Sequence, residues 1–376
     1  MNVHPIITRL FFSLQPLDRT VTFTMFSSTI RSALIALAAS AITAAAAPEL
    51  TLKVSGPELA KGVDNLKVTT TLTNTGSDSL QLLNDPRSLL TTTPTNSFRI
   101  SSSSGASPAF NGMKVKYVPS VAAKLPNASF TTLAPGETVD VTHDLSSAYN
   151  FTRSGADSYD ISPSTLFYAV DPSTLEVSTL TAKVESTLKS KLDGTLAISR
   201  RALVSKRASF NGCSESQQSD IEAAVDAANT YASDAASYLQ GISSGTERYT
   251  TWFGEFTSSR HDTVQDHFNS MSSQGYDDYT YDCSTCDESG VYAYVFPDEF
   301  GTIYLCDVFW QASTTGTDSK AGTLVHESSH FTRLAGTEDH VYGQSGAQEL
   351  ASSDPDQAID NADNHEYFAE NNPALD

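Results

Sequence analysis

Apolar and polar residues alternate through much of the first half of the chain. "LTLKVSG", "LKVTTTLTNTG" and "TVDVTHDL" put every second side chain on one face and run into Gly, Asn or Asp turn residues. That is the period of half-buried strands, so residues 48–199 are expected to form a β-rich, sandwich-like unit. The period then changes. In residues 214–241, Ile221, Val225, Ala228, Ala232, Ala235 and Leu239 recur three or four apart. This is the spacing of one helix face, and Gly241 stops it. A second helix is expected over residues 249–272, with Trp252, Phe256, Val264, Phe268 and Met271 on its core stripe. "VYAYVFP" and "GTIYLCDVFW" read as two strands joined by a turn at Asp298–Gly301. A third helix is expected from about Lys320 to Leu334, and a last helical stretch includes "EYFAENN". Helices gathered round a small sheet make an α+β domain.

Charge and processing signals divide the same chain. From Met25 the sequence reads "MFSSTIRSALIALAASAITAAAAPEL". One early cation, an apolar run of about a dozen residues and an Ala-x-Ala end describe a secretory signal cut near Ala46 or Ala47. Residues 1–24 form an upstream extension. Arg200-Arg201 and Lys206-Arg207 are dibasic pairs, and Lys206-Arg207 is the expected processing site. Residues 1–207 hold 19 basic and 15 acidic residues, whereas residues 208–376 hold 4 basic and 29 acidic, a net of −25. The expected divisions are an extension and signal over 1–47, a β-rich propeptide over 48–207 and a mature domain over 208–376. Such acidity excludes nucleic acid and anionic membranes as partners. Asn127-Ala-Ser129 and Asn150-Phe-Thr152 are sequons for exposed sugars. The four cysteines, Cys213, Cys283, Cys286 and Cys306, all lie in the acidic part. In a secreted chain they read as two disulfides, rather than as the zinc or redox site that Cys283-x-x-Cys286 alone would allow.

The chemistry sits in "HESSHFTRLAGTEDHVYG", residues 326–343. His326 and His330 are i and i+4 on the third helix, so both imidazoles reach one ion. Zinc suits imidazole and brings no redox chemistry. Glu327 follows the first histidine and can act as general base. A catalytic zinc takes a third protein ligand. The metzincin pattern fails, because Arg333 and Gly336 occupy the positions where it needs Gly and His, and no methionine follows. Three candidates stay open on local chemistry: Asp339, returned by a reversal at Gly336, Glu349 on a later helix, and His340.

"HESSH" followed by "GTEDHVYG" resembles the paired motifs of the deuterolysin-type metallopeptidases, the aspzincins. The resemblance covers roughly residues 208–376. It implies a zincin-like α+β catalytic domain with a small mixed sheet and one zinc. It also implies Asp339 as the third ligand and Tyr342 as the phenol that stabilises the oxyanion. "NADNHEYFAENNP" is similar to the fungal peptidyl-Lys branch, in which an aspartate and a glutamate three residues on line a pocket for lysine. They map onto Asp363 and Glu366. From spacing alone, Asp363-x-x-Glu366 also reads as a helix capping box. The resemblance further implies the pairing Cys213–Cys283 and Cys286–Cys306.

The resulting expectation is a monomeric, secreted zinc endopeptidase, made as a preproprotein, that cuts on the amino side of lysine. Its partners are lysine-containing protein substrates and its own propeptide, and the substrate strand is expected antiparallel to a sheet edge. Lys320 is the single lysine of residues 208–376, which suits a protease that cuts at lysine. Alternatives are a broad-specificity neutral metalloprotease and a non-catalytic acidic binding protein.

Overall fold

A computed structural model describes residues 49–198 and 209–376. The signal segment and both dibasic pairs lie outside the described residues. Alternation does produce strands in the N-terminal region. Leu50–Ser55, Lys67–Asn74 and Thr138–Asp144 lie side by side and antiparallel, with Lys183–Ser186 parallel on the outer edge of Leu50–Ser55. A second four-stranded sheet runs in the order Leu59–Lys61, Leu188–Asp193, Asp157–Pro163, Phe98–Ser102. A third holds Val177–Thr181, Leu166–Val170, Leu80–Leu83 and Phe130–Leu133. Leu52, Val68, Leu72, Ile100, Phe151, Tyr159 and Ile161 share one apolar cluster. Asn127 is exposed, and its amide bonds to Ser289 (3.0 Å) and Asp307 (2.9 Å) across the seam with the C-terminal region. Asn150 is half-buried and accepts from the Thr152 N–H (2.9 Å).

The C-terminal region builds helices around a five-stranded sheet. Its strands, in chain order, are β1 (Lys114–Tyr117), β2 (Ser209–Asn211), β3 (Thr280–Asp282), β4 (Val291–Val295) and β5 (Thr302–Leu305), arranged β2-β3-β5-β4-β1. β2, β3 and β5 are parallel, and β4 is antiparallel to β5 and to β1. The outermost strand, β1, therefore comes from the N-terminal region. Sequence pattern alone gave no sign of this.

Helix α1 (Glu215–Gly241) starts at a capping box, with Ser214 and Gln217 bonded to each other's backbone N–H. It buries all six residues of the expected stripe. The helix expected over 249–272 is instead two, α2 (Glu247–Phe253) and α3 (Ser258–Gln274). The apolar stripe runs on across the break, which is why periodicity missed it. Gly254 ends α2 at φ 72°, and a Cβ there would collide with the Ala351 carbonyl oxygen and approach the Pro355 ring to 2.8 Å. Gly254→Ala is expected to destabilise the protein by at least about 2 kcal/mol, since it combines backbone strain with a clash that side-chain motion cannot relieve. Its urea midpoint measures this.

The motif helix, α4 (Lys320–Ser329), is shorter than expected, ending before Leu334. Thr332 turns the chain away by bonding to the Pro297 carbonyl through both its N–H (3.2 Å) and its hydroxyl (2.9 Å). His330 keeps helical angles as the C-cap, so the i, i+4 relation survives. α5 (Gln344–Ser353) and α6 (Ala362–Glu370) follow. Both disulfides pair as the resemblance implied, Cys213–Cys283 and Cys286–Cys306, with Cα atoms 5.0 and 5.3 Å apart. Among the described residues no helix is long and apolar enough to cross a membrane.

Candidate metal centre and peptide cleft

Every residue of α4 is buried, and Ser319 caps it by accepting from the Gly322 N–H (2.9 Å). At its far end the His326 and His330 Nε2 atoms stand 3.1 Å apart. The chain then reverses at Gly336 (φ 67°). The return is pinned by Thr337 N–H to the Ser329 carbonyl (3.1 Å) and Glu338 N–H to the Asp360 carbonyl (2.7 Å). This brings Asp339 Oδ1 to 3.3 Å from both Nε2 atoms. His340 is turned away onto Asp360 (3.1 Å), and Glu349 is exposed on α5. Of the three open candidates, the structure brings Asp339 to the histidines.

The outer nitrogens decide what these atoms can hold. His330 Nδ1 lies 2.8 Å from the Thr337 carbonyl, which requires a proton on Nδ1. His326 Nδ1 faces Asp363 (2.9 Å) and Glu366 (3.2 Å), which calls for the same. In the neutral rings Nε2 is then a bare lone pair. Asp339 Oδ1 has no hydrogen-bond partner among the described residues. Three buried acceptors thus converge with no hydrogen between them, an arrangement that a cation satisfies. Ligand atoms at about 2.0 Å from a tetrahedral zinc stand about 3.3 Å apart, so the set fits zinc without rearrangement.

Beside this centre lies one peptide bond of β1. Glu327 Oε1 accepts from the Lys116 N–H at 2.9 Å, and Oε2 has no partner among the described residues. Burial pushes the Glu327 carboxyl well above the ordinary range, against the pull of His326. The Tyr342 hydroxyl donates to the Val115 carbonyl at 2.8 Å. Burial pushes this phenol up as well, so it stays a neutral donor. The Arg87 guanidinium lies 3.7 Å from the centre of the Tyr342 ring and donates to the Asp339 carbonyl (2.7 Å).

Asp363 and Glu366 do not form a capping box. The N-cap of α6 is Asn361, which makes no side-chain cap bond. Asp363 Oδ2 accepts from the Gly343 N–H (2.6 Å). Its Oδ1 lies 3.1 Å from Lys116 Nζ, and Glu366 Oε2 lies 2.7 Å from it. Asp318 Oδ1 (3.2 Å) and the Tyr367 hydroxyl (3.3 Å) complete the ring round that ammonium. Burial raises the Asp363 carboxyl, but the Lys116 charge and His326 outweigh it and leave the group below its ordinary value; at Glu366 burial wins. Asp318 holds a left-handed φ of 52°, with its N–H on Glu370 (3.2 Å).

Sequence reasoning missed Arg87, Lys116, Asp318 and Tyr367. Tyr367 was within reach, four residues from Asp363 on the same helix face. Asp318 directly precedes the α4 cap. Arg87 and Lys116 lie more than two hundred residues from their partners.

Comparison with known proteins defines the class. A family model described as lysine-specific metallo-endopeptidase, the aspzincins, matches residues 238–370. The peptidyl-Lys metalloendopeptidase of Armillaria mellea is 54% identical over 93% of this chain and 99% of its own. That of Grifola frondosa is 52% identical over the same shares. An extracellular protease of Aeromonas hydrophila is 35% identical over 83% of this chain and 89% of its own. The protein is a zinc metalloendopeptidase. Within that class, the chain belongs to the aspzincin family of lysine-specific metallo-endopeptidases.

Proposed function

We propose that residues 208–376, separated from residues 48–207 at Lys206-Arg207, act outside the cell to hydrolyse peptide bonds on the amino side of lysine. The observation that carries this reading is the seat of the Lys116 ammonium. Carboxylate oxygens of Asp318, Asp363 and Glu366 surround it at 3.2, 3.1 and 2.7 Å. The ammonium donates to Asp318, Asp363 and the Tyr367 hydroxyl, three acceptors round one point that match its three hydrogens, with Glu366 adding charge alongside, whereas the planar fork of arginine wants parallel acceptors. The relatives described as peptidyl-Lys endopeptidases support lysine, and the extracellular protease of Aeromonas hydrophila supports secretion.

His326, His330 and Asp339 hold the zinc, which when bound supplies the Lewis acidity that makes water a nucleophile near neutral pH. Glu327 takes a proton from the attacking water and hands it to the leaving nitrogen, the atom now 2.9 Å from its Oε1. Tyr342 donates to the carbonyl oxygen as it gains negative charge, where one such donor contributes about 3 kcal/mol. A substrate strand beside β4 gains backbone bonds that do not depend on its sequence.

Asp363→Asn combined with Glu366→Gln tests the pocket. Neither residue belongs to the set of His326, His330 and Asp339, and an amide oxygen can face His326 Nδ1 as the carboxylates do, so zinc is expected to stay. The attraction of an ammonium to one carboxylate at 4 Å is about 4 kcal/mol at an effective dielectric of 20, and two thirds of that is roughly a hundredfold. kcat/KM on peptides with lysine or norleucine after the scissile bond should show the lysine preference fall by about that factor. An unchanged ratio would place the lysine pocket elsewhere.

A further inference from the structure

We infer that Val115–Lys116 is a cleavage site of this chain's own active site, with β1 bound in the cleft as a substrate. The inference rests on the lysine reading above and adds a particular bond. Four contacts bracket that single bond. The Val115 carbonyl takes the Tyr342 hydroxyl (2.8 Å), and the Lys116 N–H points at Glu327 (2.9 Å). The Lys116 side chain fills the pocket of Asp318, Asp363 and Glu366, and the Val115 N–H bonds to Asp339 Oδ2 (3.2 Å). The polarity is that of the reaction, with the carbonyl at the phenol, the nitrogen at the carboxylate, and lysine on the amine side.

The flanks hold the register. β1 runs antiparallel to β4, pairing Lys114 with Val295, Val115 with Tyr294 and Lys116 with Ala293. Lys114 Nζ is fixed by the Thr337 carbonyl (2.5 Å) and Glu338 (3.0 Å), and Tyr117 packs on Tyr342 with ring centres 5.9 Å apart. A strand that only blocked the cleft would have no need to align the carbonyl, the nitrogen and a lysine with three separate partners. Lys53, Lys67 and Lys189 of the N-terminal region pair instead with carboxylates on its own exposed surface.

The step balances with water alone. The water oxygen bonds to the Val115 carbonyl carbon and the C–N bond breaks. Glu327 carries one water proton to the Lys116 nitrogen, and the second passes from the new Val115 carboxyl to that amine, leaving a carboxylate on Val115 and an ammonium on Lys116.

The test uses the full chain, purified in chelator and then given zinc, and reads intact mass and new N-termini. A fragment beginning at Lys116 should appear with a rate independent of protein concentration, as expected of a strand already in place. Glu327→Gln should leave the chain whole, and Lys116→Met should slow cutting after Val115 by at least a hundredfold. In the metal-free chain, where nothing is cut, Lys116→Met should speed hydrogen exchange at the 115 and 116 amides at least tenfold; unchanged exchange would overturn the anchoring role. If the zinc-loaded full chain stays whole at Val115–Lys116 while residues 208–376, cut free at Lys206-Arg207, cleave denatured casein before lysine, the inference fails and the lysine reading stands. If the freed, zinc-loaded residues 208–376 cut casein nowhere before lysine, both fall.

Discussion

Glu327→Gln is expected to bind zinc normally and to lose between about a hundredfold and ten-thousandfold in kcat, the range that a positioned acid–base group supplies. The substitution keeps shape and hydrogen bonding but removes the ability to carry a proton. Glu327 lies one residue from His326 yet outside the set of converging ligand atoms, with Oε1 on the nitrogen of the bracketed peptide. Its loss should therefore fall on turnover and spare the metal. Zinc content by atomic absorption, beside kcat on a lysyl peptide, separates the two. Near-normal turnover at full zinc occupancy would remove Glu327 from the reaction.

Asp339→Ala should weaken zinc binding at least about a hundredfold. Removing an outer partner of a metal ligand already costs ten- to a hundredfold, and Asp339 supplies one of three converging atoms. Its backbone carbonyl still receives Arg87 in the variant, so the loop keeps an anchor. Glu349→Ala, on the exposed side of α5, should change affinity less than twofold. Competition against a chromogenic chelator measures both. Metal loss on Glu349→Ala alone would reverse the ligand assignment.

Much of this site was legible because its parts are close in sequence. The histidines, Glu327, Asp339 and Tyr342 fall within seventeen residues, where helix period and one glycine turn suffice to bring them together. Strands such as Lys67–Asn74 and the long α1 declared themselves through unbroken periodicity. The α2–α3 break did not, because Trp252 and Phe256 keep the stripe apolar through Gly254. The end of α4 did not, because the turn depends on Pro297, a contact from another element. Least legible was β1: "KVKY" alternates like any strand, and nothing local says that its lysine is buried against carboxylates two hundred residues on. Pairing over such distances is decided by the complementarity of finished surfaces.

The position of β1 at the sheet edge has a consequence for the behaviour of the protein in solution. On the processing proposed above β1 is removed; the backbone amides and carbonyls of Val291–Val295 then lose their outer partners, and this strand is buried along its whole length while β1 is in place. A bare edge of this kind offers a template for a second copy. The 29 acidic against 4 basic residues of 208–376 supply the opposing force, a colloidal repulsion that acts over about 10 Å at 0.1 M salt and shrinks to about 3 Å at 1 M. The released domain should therefore stay dispersed in dilute buffer and pair edge to edge in strong salt, with a lysyl peptide in the cleft dissolving the pairs.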